Sequence, residues 1–118
     1  MINKRIVIIT MALLLLGGCG ATSQYKWGNY ESNMFEYYHE PGRKDKAVSD
    51  HLKMVASPVA QGQRLAPGML AEAGTFYMEQ GDLAKAIEYY QLEKAAWPES
   101  TKLMDALIEN LQEKVGPK

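Results

Sequence analysis

The chain has little of what most chemistry-bearing sequences display. Its 118 residues include one cysteine, Cys19, and two histidines, His39 and His51. A single thiol cannot close an internal disulfide, even in an oxidising compartment, and cannot build a thiolate zinc site. No glycine-rich phosphate loop is present, and no serine stands in a motif that pairs a nucleophile with a base. Basic charge is not in surplus: 13 Lys plus Arg face 14 Asp plus Glu, a formal net charge of -1. That balance argues against a nucleic-acid partner. Nor is there an apolar run of the roughly 20 residues that a membrane-spanning helix needs. The longest, Ile6 to Leu16, is broken only by Thr10. Beyond it no alternating strand pattern occurs.

What is there begins with that run. Lys4 and Arg5 form a positive n-region and Ile6 to Leu16 an apolar h-region, the proportions of a secretory signal peptide. Leu16-Gly17-Gly18-Cys19 follows, small residues that fit a protease cleft and a thiol nucleophile able to take up a lipid. This quartet resembles the bacterial lipobox. The resemblance implies cleavage between Gly18 and Cys19, diacylation of the Cys19 thiol and a third acyl chain on the new amino group. Each buried methylene contributes about 0.8 kcal/mol, so several chains make a lasting anchor. Gly20 stands where Asp would signal inner-membrane retention; the resemblance therefore implies the outer membrane, on its periplasmic face. The expected division is residues 1–18 as signal peptide, 19–29 as lipidated cysteine and tether, and 30–118 as the folded domain. Loss of Lys4 and Arg5 with the leader moves the formal charge to -3.

Past a short polar tether, Tyr25, Trp27 and Tyr30 crowd together. Such residues suit the lipid headgroup level or staple the chain onto the first helix; the helical spacing that follows at once favours the staple. Helices are expected over Glu31 to His39 and Arg43 to Ala56, the second with a Val48, Leu52, Val55 stripe. After a solvated linker, Val59 to Ala66, Pro67 suits a helix start, and Leu70, Ala73, Gly74 and Tyr77 make one apolar stripe. Gly81 is placed for a left-handed helix end and Asp82 for the next cap. Leu83, Ala86, Ile87 and Tyr90 repeat the spacing until Pro98 stops the helix. Glu99-Ser100-Thr101 offers a further cap before Leu103, Leu107 and Leu111, a face widened by Met104, Ile108 and Val115. The expectation is an all-α fold of about five short helices in antiparallel hairpins, closed by a C-terminal capping helix.

Leu70, Gly74, Tyr77, Gly81, Ala86, Tyr90 and Pro98 fall in the order of the tetratricopeptide repeat, which this segment resembles. Glu93 departs from that repeat, where a small apolar residue is usual. Tyr38 and Ala47 are nine residues apart, as Tyr77 and Ala86 are, which suggests a degenerate repeat upstream. The stretch from Tyr25, Trp27 and Gly28 through Tyr30, Tyr37, Tyr38, Pro67, Gly68, Glu72, Glu93, Lys94 and Trp97-Pro98-Glu99-Ser100 also resembles a family of short bacterial lipoproteins with a domain of unknown function. Glu93 fits that family. The resemblance implies a place beside other lipoproteins, including ones similar to the curli-export channel, in an outer-membrane assembly.

Stacked helical hairpins leave a groove for partner segments. The candidate contact residues are Tyr37, Tyr38, Phe76, Tyr77 and Met78 on the first helices of the hairpins, with Tyr89 and Trp97; Tyr77 is also expected in the core. His39 and His51, with Glu36 and Glu40 near, give a weak case for metal ligation, and Glu88 and Glu93 are expected on a solvated face. No cofactor, metal or catalytic residue is expected. The leading expectation is a helical adaptor that docks envelope lipoproteins. An envelope enzyme or ligand- or metal-binding subunit, for example peptidoglycan-related, is the alternative.

Overall fold

The computed structural model describes residue 1, residues 3–15, 20, 25, 27–57 and 65–116. These form six α-helices and no strand: α1 (Lys4–Leu15), α2 (Tyr30–His39), α3 (Lys44–Ala56), α4 (Met69–Glu79), α5 (Leu83–Ala96) and α6 (Thr101–Val115). Single 3-10 turns, Pro41–Arg43 and Pro98–Ser100, lead into α3 and α6. The Leu16-Gly17-Gly18-Cys19 quartet and most of the α3–α4 linker lie outside the described residues. Among those described, no helix is long and apolar enough to cross a membrane.

The fold is all-α and built by hairpins. Helix α2 packs on α3, α3 on α4, α4 on α5, and α5 on α6, with the α4–α5 contact the most extensive. Its turn explains why. Gly81 sits at φ +83°, a left-handed backbone that glycine adopts without strain. Its amide donates to the Met78 carbonyl and the Asp82 amide to that of Tyr77, the paired bonds that close a helix with a left-handed residue. The Asp82 carboxylate then accepts from the Lys85 amide at 3.1 Å and caps α5. Gly74 admits close approach: a Cβ there would lie 2.7 Å from two ring atoms of Tyr90 and 3.1 Å from the Ala86 carbonyl oxygen.

Three apolar clusters run through the stack. Met34, Val48 and Phe76 join α2, α3 and α4. Val55, Leu65, Ala66, Met69, Ala73 and Tyr89 fill the joint between the hairpins. Ala86, Tyr90, Met104, Ile108 and Leu111 seat the last helix.

Four expectations need correction. Pro67 does not begin a helix: Pro67 and Gly68 form a turn, Gly68 is at φ +91°, and α4 starts at Met69. The cause is the pinning of the preceding backbone by side chains of α5 and the turn after it. Ser100 makes no side-chain cap on α6: its backbone is helical, at φ −80° and ψ −7°, within the 3-10 turn, and its hydroxyl is turned to donate to Glu93. On α6 the buried stripe is Met104, Ile108 and Leu111, while Leu103 is 62% exposed. Finally, Tyr38 is not the counterpart of Tyr77. In α4 buried Ala73 and Gly74 precede half-buried Tyr77; in α2 buried Asn33 and Met34 precede half-buried Tyr37. Tyr38 points out, whereas Ala47 is fully buried as Ala86 is.

Candidate functional site

Two features combine residues from several elements. The first is a polar strap around the turn that enters α4. The Trp97 indole Nε1 donates to the Leu65 carbonyl at 3.2 Å. The Gly68 amide donates to Glu93 Oε1 at 2.8 Å, and the Ser100 hydroxyl reaches the same oxygen at 3.3 Å. From the other side, His51 on α3 bonds the Met69 carbonyl through Nε2 at 3.0 Å, so Nε2 is the donor and carries the proton. Burial pushes the His51 pKa below its ordinary value, with the bond to Met69 opposing. Tyr25 packs edge-on to Trp97, and Tyr30 and Phe76 edge-on to His51. Glu93 is 1% exposed; it is a structural carboxylate and not, as expected, part of a solvated face. Glu93 Oε2, His51 Nδ1 and Asn33 Nδ2 are buried without a hydrogen-bond partner among the described residues.

The second feature is a cleft of about 370 Å³ between α3 and α4, lined by Lys44, Asp45, Val48, Phe76, Glu79 and Gln80. Tyr37 from α2 overlooks it. The Tyr37 hydroxyl donates to the Glu79 carboxylate at 3.3–3.4 Å, and the Lys44 ammonium sits 4.6 Å from the Tyr37 ring centre. The Tyr37 side chain holds the Lys44 pKa above its usual value. Two turns back along α4, Glu72 is half-buried; burial first, then the Glu79 charge, push its pKa up. Burial and the Glu72 charge do the same to Tyr30. The cleft thus presents an apolar floor, Val48 and Phe76, with charges of both signs on its rim.

The expected contact residues divide. Phe76, Tyr89 and Trp97 are 1%, 7% and 7% exposed, so Tyr89 and Trp97 are core and not open contact residues as expected, while Phe76 is core and reaches the surface only as lining of the cleft. Phe76 packs on Tyr37 and Tyr89 on Tyr77. Tyr37 and Met78 are half-buried, and Tyr38 is open. Of the residues expected to pack the hairpin, Gly74, Ala86 and Tyr90 are buried, Leu70 and Tyr77 half-buried, and Gly81 and Pro98 exposed at the turns. The two histidines do different things: His39 is exposed and stacks on Phe35 at 4.4 Å, whereas His51 is enclosed. No group of three metal-ligating side chains occurs among the described residues. His51 could have been found in the sequence, since it lies on the Val48–Val55 stripe beside Leu52. The Leu65 carbonyl could not, because a backbone acceptor leaves no mark in residue type.

The strap draws on Tyr25, the Leu65–Met69 turn, Glu93, Trp97 and Ser100, residues spread from one end of the domain to the other. A profile for a domain of unknown function, DUF4810, matches residues 24–107. The chain belongs to this family. No curated protein and no solved structure matches it. The DUF4810 segment opens one residue before Tyr25 and closes within α6, so every strap and cleft residue lies inside it. Tyr25 therefore belongs with the folded domain as well as with the tether.

Proposed function

We propose that this DUF4810 protein is a lipid-anchored outer-membrane lipoprotein whose tetratricopeptide-like hairpin stack is an adaptor for other envelope proteins. The observation that carries the reading is the order of the leader. Helix α1 opens on two cations, Lys4 and Arg5, continues apolar and is too short to span a bilayer, and Leu16-Gly17-Gly18-Cys19 follows. The hairpin stack with its α3–α4 cleft supports the second half: an apolar floor, Tyr37 and opposed charges suit an extended peptide from a partner. Of the Glu88 and Glu93 pair, Glu93 is committed to the strap, which favours recognition over acid-base chemistry built on those two carboxylates.

The anchor and the adaptor role are tested separately. Metabolic labelling with radioactive palmitate should mark the wild-type chain and fail for Cys19→Ala; persistent labelling of the variant refutes the anchor. Crosslinking in intact cells followed by purification of the lipidated form should recover envelope proteins. Their yield should fall when Glu79→Lys reverses the rim charge. Recovery of the chain alone under several conditions refutes the adaptor.

A further inference from the structure

Past α1, the exposed large hydrophobic side chains among the described residues are Trp27, Phe35, Tyr38, Leu92, Leu103 and Val115. The three aromatic ones all fall between residues 27 and 38, and the three aliphatic ones all lie on α5 and α6. Phe35 and Tyr38, 57% and 67% exposed, share the outer face of α2 with Glu31, Ser32 and His39. The inner face carries Tyr30, Asn33, Met34 and Tyr37. Phe35 stacks on His39, and a shallow groove of about 430 Å³ runs past Gly28, Asn29, Glu31, Ser32 and Phe35. Trp27, 41% exposed, stands at the start of the same helix, tilted against Tyr30. The tether crowd accordingly splits: Tyr25 and Tyr30 pack inward on Trp97 and His51, and Trp27 remains partly outside.

We propose that this outer face of α2 lies on the lipid headgroup layer, so that the domain rests on the membrane by its first helix. The inference builds on the lipidated Cys19 of the preceding section. Cys19 stands eight residues before Trp27, and an extended chain covers about 3.3–3.6 Å per residue. Trp27 is therefore held within roughly 29 Å of the bilayer surface wherever the domain tumbles. An aromatic face so tethered meets lipid at high local concentration, and amphipathic rings favour the headgroup level. Charge decides the kind of lipid. The face carries Glu31 and no cation, while the nearby Arg43 is paired with Glu36 and Glu40. Zwitterionic headgroups fit this face, and anionic lipid adds nothing. Resting on α2 leaves the α3–α4 cleft open to a partner.

The test uses the purified mature chain in zwitterionic phosphatidylethanolamine–phosphatidylcholine vesicles, with its acylation read by mass in the same sample. A nitroxide is placed at Ser32→Cys, on the face but outside the aromatic patch, and in a second protein at Leu103→Cys on α6. Collision with oxygen and with a water-soluble nickel chelate reports depth. The Ser32 label is expected to lose nickel collisions several-fold relative to the Leu103 label. Phe35→Ser with Tyr38→Ser should return it to the aqueous value, and anionic lipid should leave it unchanged. Equal, aqueous values at both sites on an acylated, vesicle-bound chain overturn the proposal and leave the anchor standing, as when another protein covers the face. A shielded Ser32 label on a chain without acyl mass supports the face and refutes the anchor. Failure of an unacylated chain to bind vesicles refutes both.

Discussion

Glu93 is the residue whose removal should tell most about how the domain holds together. It lies on α5, is 1% exposed, and its Oε1 accepts from the Gly68 amide and the Ser100 hydroxyl. A hydrogen bond to a charged group contributes about 1.5–3 kcal/mol, and a buried donor left without its partner costs about 1–3 kcal/mol. Against this stands the desolvation of the carboxylate, whose second oxygen has no partner among the described residues. The net cost of Glu93→Ala should therefore be about 2–4 kcal/mol, below the gross sum of the two bonds. At about 4–8 °C per kcal/mol for a domain of this size, Tm should fall by roughly 8–32 °C. Glu93→Gln keeps an acceptor in place and lightens desolvation, so it should stay within about 1 kcal/mol of wild type. Thermal and urea unfolding followed by circular dichroism measure both. Hydrogen exchange adds a local readout: the Gly68 amide should lose more protection in Glu93→Ala than the Lys85 amide, which Asp82 caps. A Tm within about 3 °C of wild type for the Ala variant, or equal losses for Ala and Gln, refutes the strap as a source of stability.

Three further variants probe the fold by independent routes. Gly74→Ala should raise helix propensity yet destabilise by about 1–3 kcal/mol, because its Cβ would meet the Tyr90 ring at 2.7 Å; a gain in Tm would show that α4 and α5 separate freely. Asp82→Ala should lose about 0.5–2 kcal/mol with the α5 cap, as read by urea midpoint, and an unchanged midpoint would show that the cap is idle. His51 has its folded pKa depressed by burial, so the unfolded chain binds the proton more readily. Stability should be full above the unfolded value near 6.5 and decline as pH falls from there toward the folded pKa. His51→Gln, which retains a donor for the Met69 carbonyl, should flatten Tm against pH across that window, and parallel profiles would refute the assignment.

The elements were legible in the sequence wherever a local rule governs them. Gly81 and Asp82 act within one turn of themselves, so the α4–α5 hairpin could be placed by residue type. Apolar period located α3 through Val48, Leu52 and Val55, whereas α5, which buries Ala86, Tyr89, Tyr90 and Glu93 in place of the expected Leu83 and Ile87, was placed by Asp82 and Pro98 at its ends. The errors occur where a distant side chain takes control. Glu93 holds the Gly68 amide from 25 residues away and Trp97 the Leu65 carbonyl from 32, and that is what moves the start of α4 beyond Pro67. Ser100 looked like a cap, but its backbone is helical in the 3-10 turn before α6 and its hydroxyl is turned toward a buried carboxylate. Leu103 and Met104 are adjacent apolar residues on α6, and only the position of α5 decides that Met104 faces it. On α2 four aromatics lie within nine residues, from Tyr30 to Tyr38. Composition could not separate Tyr30 and Tyr37, which face the neighbouring helices, from Phe35 and Tyr38, which do not.

The strap and the cleft are linked by position. Of the consecutive helix contacts in the stack, α3 against α4 is the least extensive, so apolar packing alone fixes the angle between the hairpins most weakly there. That is also where His51, Glu93 and Trp97 converge on a single turn of backbone, from α3, from α5 and from just beyond it. Directional bonds can fix that angle where packing cannot. Buried apolar area tolerates sliding, whereas three hydrogen bonds to neighbouring peptide groups define one register. The cleft draws Lys44, Asp45 and Val48 from α3, Phe76 and Glu79 from α4, and Gln80 from just beyond it. Its width is therefore the same variable that the strap holds constant. Buried polar contacts at this joint therefore give the cleft a defined shape.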